Sequence, residues 1–459
     1  MKFLRIETPG IAHYAYLIAD DGVAVVIDPR RDVEEYLEGA RALGAQIRYV
    51  IETHRQEDFV MGSAHLAALT GAQVVNGTHE LFGRGDIRLD DGDAFKVGSL
   101  LVKALHTPGH TPESMSYAVY TSSDSTSLDK QVPWGVFTGD TLFFGTTGRT
   151  DLSDADKSVE NAGLLYDSVH GKLAELGDTT LVLPAHGPGS VCGSGMAERP
   201  YSTLGDEKRY NEVFTLDRDA FSKKKGGERL SRPPFFRHIE QVNLEGGMPP
   251  RNSPGVVRLL DVDSFTEMME EGIVYDTREP EGFAGGHISG SYSIWTGGLP
   301  VFGGWVGSEQ TPICLVTDRE ADIDTAVLHL SRIGIDHICG GLAGGFGSWR
   351  SSGKPLEFAG SITPLELSKR QAEFQVLDVR EIDEFDAGHI PGATHLFAGY
   401  LVKAVEDLEL DRQKPVVVTC GVGHRAGLGL SILLKAGFAD VYNLLGGMAA
   451  WQTLKLPTE

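Results

Sequence analysis

At 459 residues the chain is too long for one hydrophobic core, so two to four domains are expected. Apolar content of 41% and charged content of 23% are ordinary for a soluble globular protein. A net charge of −23 argues against nucleic acid or an anionic membrane as partner, and no apolar run approaches membrane-spanning length.

The chain opens Met1-Lys2-Phe3-Leu4-Arg5-Ile6-Glu7, which meets an acidic residue too early for a signal peptide. The cysteines (Cys192, Cys314, Cys339, Cys420) show neither disulfide nor zinc spacing. Both observations suit a reducing compartment, so a cytoplasmic protein is expected. Strand-like runs at Tyr16–Ile18, Val23–Ile27, Val74–Val75, Leu100–Val102, Val136–Phe137 and Leu181–Leu183 alternate with helical stretches such as Val33–Leu43.

Several of these strands end in residues that bind metals. The apolar run Ile47–Ile51 leads into Thr53-His54-Arg55-Gln56-Glu57-Asp58-Phe59, and a helical stretch follows. Asp28-Pro29, His106-Thr107-Pro108-Gly109-His110-Thr111, Phe137-Thr138-Gly139-Asp140 and Pro184-Ala185-His186-Gly187 each end or follow another strand. Loops after strands are where such side chains can converge. Taken in order, these pieces resemble the metallo-β-lactamase superfamily, whose first motif reads Thr-His-x-His-x-Asp-His. In that motif the first two histidines serve one metal site, and the Asp-His pair serves a second. Here Gln56 and Phe59 stand where the second and last histidines are usual.

Gly148-Arg149-Thr150-Asp151 narrows the resemblance to persulfide dioxygenases, which are similar to glyoxalase II in fold and hold a single Fe(II). Carried over by position, the resemblance implies His54, His110 and Asp140 as the ligands. Two imidazoles and a carboxylate leave coordination positions open for a substrate sulfur and O₂. Zinc hydrolases of the fold use a fuller or binuclear set to generate hydroxide. The second site would need Asp58, residue 59 and His186, bridged by Asp140, and Phe59 cannot ligate. Gln56, Asp58, His186, Arg149 and Cys192 are read as groups around the ion or facing its substrate. Gln56 would hydrogen-bond a metal-bound water. Arg149 would bind a substrate carboxylate or position a loop acid, and Cys192 is either a thiol near the metal or a passive one. In a decayed site, His54, His110 and Asp140 would only hydrogen-bond one another.

Gly246-Gly247-Met248-Pro249-Pro250-Arg251-Asn252-Ser253-Pro254-Gly255 reads as a linker, closing a first domain over residues 1–245. The sequence then repeats itself. Asp276-Thr277-Arg278 recurs as Asp378-Val379-Arg380, and Gly286-His287-Ile288 as Gly388-His389-Ile390, each pair 102 residues apart. The expectation is two α/β domains with parallel sheets, over 256–356 and 360–459. In the second copy the β-branched run Pro415–Thr419 leads into Cys420-Gly421-Val422-Gly423-His424-Arg425 and a helix from Ala426. A thiol there sits at the positive end of a helix, where the amides of Gly421, Val422, Gly423 and His424 can face one point and Arg425 adds charge. With Leu377–Arg380, Gly388–Ala393, Leu445-Gly446-Gly447 and Ala450-Trp451, this copy strongly resembles rhodanese. The resemblance implies a persulfide on Cys420 that is passed to a thiol, sulfite or cyanide. In the first copy Thr317 or Asp318 takes the place of Cys420, so that copy is expected to lack the chemistry.

As a whole, the chain resembles the persulfide dioxygenase–sulfurtransferase fusions. The implied architecture is a metallo-β-lactamase αββα sandwich, an inactive rhodanese-like domain and an active rhodanese. The implied cofactor is one Fe(II), with zinc as the alternative. The implied small molecules are a persulfide of glutathione or coenzyme A type, O₂, sulfite and thiosulfate. Three other readings stay open: a sulfurtransferase with a dead metal site, a zinc thioesterase similar to glyoxalase II, and a non-enzymatic scaffold. Oligomeric state is open, a homo-oligomer included.

Overall fold

A computed structural model describes residues 1–82, 85–121, 131–248 and 257–459, so residues 249–255 of the expected linker lie outside the described residues. The chain divides into two compact units. One comprises Met1–Leu230 with Phe236–Pro250, and the other Ser231–Phe235 with Arg251–Glu459. Among the described residues, no helix is long and apolar enough to cross a membrane.

The first unit is built on two six-stranded sheets. One runs in chain order from Lys2–Thr8 to Ile87–Leu89, and the other runs from Ser202–Thr203 across to Ala94–Val97. Side chains alternate faces along a strand, and His13–Asp20 shows the consequence. Tyr16 and Ile18 enter the inner core with Val25, Ile27 and Ile51 of their own sheet and Val102, Tyr117 and Phe137 of the other. Ala15, Leu17 and Ala19 point the opposite way, packing with Tyr36 and Ala40 of the helix Glu34–Leu43. The outer face of the second sheet (Leu101, Tyr120, Val136, Val182) is covered by Ala162 and Phe221 from the helices Ser158–Ser168 and Arg218–Gly226. Helix, sheet, sheet, helix is the αββα order expected from the sequence.

The second unit holds two five-stranded sheets of the same topology. Leu259–Leu260, Ile338–Leu342, Ile313–Val316, Ile273–Asp276 and Tyr292–Ser293 form one. Gly360–Ile362, Val441–Leu444, Val416–Thr419, Gln375–Asp378 and Thr394–His395 form the other. Every neighbouring pair is parallel, in keeping with the expected parallel sheets. The repeated Asp–Arg motif is a buried ion pair in both copies, and each arginine also donates to the carbonyl of its copy's Gly286 or Gly388. Register settles the place of the missing cysteine. Asp276 pairs with Val316 as Asp378 pairs with Thr419, so Thr317 occupies the position of Cys420.

Candidate metal centre and sulfur-transfer loop

Four loops, each following a strand of the sandwich, bring His54, His110, Asp140 and His186 into one buried cluster. Each histidine is oriented by a bond at Nδ1. Thr53 Oγ1 lies 2.9 Å from His54 Nδ1, and Thr53 is itself anchored to Asp28 by its amide and its hydroxyl, both at 2.8 Å. Asp28 closes its strand at φ 50°, an uncommon conformation for a residue with a Cβ. His110 Nδ1 is 2.8 Å from the carbonyl of Arg149. His186 Nδ1 is 2.8 Å from Asp140 Oδ1. These partners fix the ring orientations and leave the Nε2 atoms facing inward.

The inward-facing atoms form a cage. Asp140 Oδ2 is 3.5 Å from His110 Nε2 and 3.9 Å from His54 Nε2. Glu57 Oε2 is 3.6 Å from His110 Nε2 and 3.9 Å from His54 Nε2. Nε2 of both histidines, Asp140 Oδ2 and both Glu57 carboxylate oxygens are buried without a hydrogen-bond partner. Donors about 2.1 Å from one ion stand about 3.4 Å apart in a tetrahedron, so the cage is slightly wider than a filled one. Leaving this many buried polar atoms unmatched is costly, and the ligand atoms of His54, Glu57 and His110 lie within 4.8 Å of one another, close enough to share a divalent ion. The residues therefore fit a metal.

Glu57 was not among the residues singled out in the sequence. It sits at a variable position of the motif, and its acidic side chain next to the missing histidine at 56 was the available signal. Gln56 lies beside His54 at 3.5 Å, too far for more than a weak contact. Phe59 is buried with Ile11 and Met61 and packs on His13, ring centres 4.2 Å apart.

Burial dominates the electrostatics of the cluster. It drives His54 down to about 3 and Glu57 up to about 7. Burial alone would raise Asp140, but His186, His54 and His110 outweigh it and hold the carboxyl well below its usual range. Burial likewise opposes the charged forms of His110 and His186. Glu57 with Asp140 raises the first, and Asp140 with Asp58 raises the second. The cluster is thus one of interleaved acids and bases, which is the composition expected around a cation.

Arg149 is buried and turned away from the cage. Its guanidinium donates to both Asp151 oxygens at 2.7 Å and to the carbonyls of Val191 and Leu230. The pair holds Asp151, two residues further along the same loop. Cys192 is buried rather than on a flexible surface, with its carbonyl accepting from Arg149 N at 3.0 Å. Burial first, then Asp58, Asp140 and Glu57, raises its thiol well above the ordinary range. His106 points to the carbonyl of Pro112, outside the cage.

In the second unit, Cys420 is buried at the mouth of its loop, and Gly423 N donates to its sulfur at 3.1 Å. The following helix, His424–Lys435, starts from Gly423 at φ 115°. Met448 N and Ala449 N, from the helix Gly447–Thr453, hold the carbonyls of Cys420 and Gly421 at 2.8 and 2.9 Å. This approach explains the paired glycines, because a Cβ on Gly447 would stand 2.3 Å from Cys420 O. Arg425 forms a two-pronged ion pair with Glu384, at 2.6 and 2.8 Å. Its charge at the loop is therefore partly matched, which the loop sequence alone did not reveal. Val422 is exposed, and His424 contacts the other copy, with Nε2 3.0 Å from Glu279 and its ring stacked on Trp295. Thr317 instead hydrogen-bonds the carbonyl of Arg319, and Arg319 pairs with Asp322. Cys314 and Cys339, far apart in sequence, lie with sulfurs 2.7 Å apart on adjacent strands.

The profile of the Metallo-beta-lactamase superfamily matches residues 8–186, and that of the Rhodanese-like domain matches residues 363–454. A probable metallo-hydrolase of Burkholderia pseudomallei is 30% identical over 246 residues, 48% of this chain and 80% of that protein. The mitochondrial persulfide dioxygenase of Homo sapiens is 29% identical over 244 residues, 51% of this chain and 84% of that protein. Among solved structures, a metallo-beta-lactamase from Staphylococcus aureus superposes with a TM-score of 0.67 at 29% identity, covering 75% of this chain and 99% of that one.

Proposed function

This chain belongs to the metallo-beta-lactamase superfamily and carries a rhodanese-like domain behind its sandwich, and from that premise we propose that it couples persulfide oxidation to sulfur transfer. The observation that carries this reading is the cage of His54, His110, Asp140 and Glu57, whose buried atoms have no other partner. An Fe(II) ion there would supply open coordination positions for a persulfide sulfur and O₂, so that the persulfide, O₂ and one water would yield the free thiol and sulfite with release of two protons. The chain's own part is to hold that chemistry in place. Thr53 and the Arg149 carbonyl fix the two imidazoles, and the cluster they belong to is buried away from bulk solvent.

In the rhodanese-like domain, Cys420 takes a sulfane sulfur from a second persulfide. The S–S bond of the donor breaks, its thiolate leaves, and a persulfide remains on Cys420. Sulfite then attacks the outer sulfur, forming thiosulfate and restoring the Cys420 thiolate, and the reverse reaction uses thiosulfate as donor. The Gly423 amide faces the sulfur, and the helix behind it supports negative charge there. The similarity to a persulfide dioxygenase supports the substrate class. The thiol carrier is proposed as glutathione or coenzyme A.

Oxygen consumption with a glutathione or coenzyme A persulfide tests the reading, together with metal content of protein grown with iron. The wild type should hold iron and consume O₂, and His110→Ala should do neither. Zinc in place of iron, with thioester hydrolysis and no O₂ uptake, would overturn the oxidative reading.

A further inference from the structure

We propose that Cys314 and Cys339, in the first of the two repeated domains, form a dithiol that a low-molecular-weight persulfide closes to a disulfide, a modification site separate from Cys420. Both thiols are free, and their sulfurs lie 2.7 Å apart although 25 positions separate the residues in the chain. Cys314 lies on the strand Ile313–Val316 and Cys339 on its neighbour Ile338–Leu342. Neighbouring strands run about 4.8 Å apart, inside the about 4.4–6.8 Å usual between the Cα atoms of a disulfide.

The fold does not require this pairing. Ile313 pairs with Ile338 but Cys314 with Gly340, so the ladder slips and Cys339 is the extra residue. Such a bulge is rare between parallel strands, and it re-aims a side chain. In the second copy, Val417 stands at the position of Cys314, because Thr419 there matches Val316. That copy keeps a regular ladder, Val416 with Val441 and Val417 with Tyr442. The slip and the two thiols therefore occur together, in the copy that lacks a cysteine at the loop.

Exposure distinguishes the two thiols. Cys314 is wholly buried and shares a core with Val274, Leu342 and Trp349, whereas Cys339 is half-buried and packs on the edge of that core. An incoming sulfur therefore reaches Cys339 first. The contact with Cys314 lowers the Cys339 thiol below its ordinary value, with burial opposing and the amides of Cys339 and Gly340 assisting. The same contact, with burial, pushes Cys314 up. Cys339 is thus the nucleophile and Cys314 the thiol that resolves.

The Cys339 thiolate attacks the outer sulfur of the persulfide RSSH. That S–S bond breaks, RS⁻ leaves and takes up the proton Cys339 gave up, and Cys339 carries the sulfur as its own persulfide. Cys314 then attacks Cys339 Sγ, the bond to the outer sulfur breaks, and sulfide leaves with the Cys314 proton as H₂S. Two thiols and RSSH become one disulfide, RSH and H₂S, the cysteines losing two electrons to the sulfane sulfur. The choice of oxidant rests on the substrate class proposed above; the pair itself does not.

The test is anaerobic treatment of the reduced full-length protein with glutathione persulfide, then an acid quench, alkylation in denaturant and peptide mass spectrometry. Anaerobic handling removes O₂ as an oxidant. The wild type should yield a peptide pair cross-linked through Cys314 and Cys339, two hydrogens lighter than the reduced pair, which dithiothreitol parts. Cys314→Ala should give no cross-link and should instead keep an added sulfur on Cys339. Cys339→Ala should leave Cys314 unmodified. Wild-type protein in which both cysteines remain alkylatable would overturn the proposal, as would a lasting persulfide on Cys339 beside an intact Cys314 thiol. A closed disulfide in protein that takes up no O₂ would refute the oxidative reading above and leave this one standing.

Discussion

Gly447→Ala should disable the sulfur-transfer loop from a position that touches no substrate. Gly447 has φ 53°, and an added methyl would meet Cys420 O at 2.3 Å and both Gly421 C and O at 2.8 Å. The left-handed conformation alone costs a residue with a Cβ about 1–2 kcal/mol. Overpacking against backbone, which cannot swing aside as a side chain can, adds about 1–3 kcal/mol. If the chain instead relieves the overlap, the Cys420 carbonyl must retreat by about an ångström. A shift of that size at a reacting group typically costs about 100-fold in rate. The assay is urea unfolding of the full chain, alongside persulfide transfer from thiosulfate to cyanide. Gly437→Ala is the control: its φ is 85°, but nothing lies within 4 Å of the added methyl, so only the backbone cost should appear. Wild-type stability together with wild-type transfer in Gly447→Ala would refute the claim that the paired glycines exist for this approach.

Three further outcomes follow from the two sites. Glu57→Gln should weaken metal binding by at least the about 10–100-fold typical of residues that merely support a ligand, as read by competition with a chelating dye; unchanged affinity would remove Glu57 from the cage. Because burial lifts the metal-free Glu57 carboxyl to about 7, loading the metal centre should release its proton. Apparent affinity should then climb between about pH 6 and pH 8, and calorimetry in buffers of different ionisation heat should count the proton; a flat profile would contradict this. Arg425 is matched by Glu384, so Glu384→Gln should lower the KM for sulfite and Arg425→Gln should raise it, with Cys420 present in both. Equal KM values in the two variants would mean that the pair does not sense the acceptor's charge.

The sequence by itself determined whatever is written in a short contiguous stretch or repeated at a fixed interval. Strand-like runs alternating with helical stretches announced an α/β first domain, and the motifs at the strand ends, through their family resemblance, implied the sandwich. The 102-residue repeat announced two like domains, and the Cys420–Arg425 run announced a strand, a turn and a helix around a thiol. Such features are set by local sterics and by burial pattern, which travel with the chain. Tertiary structure decided the rest, because direction and distance across loops are not local properties. It turned Glu57 toward His54 and His110, and set Glu384 on Arg425 across 41 positions. It also used Arg149 to tie the loop of His110 to that of Cys192. Those contacts come from loops that start on different strands, and only the packed sheets bring the strand ends together. Which acids and thiols share a cavity is therefore a consequence of the folded core.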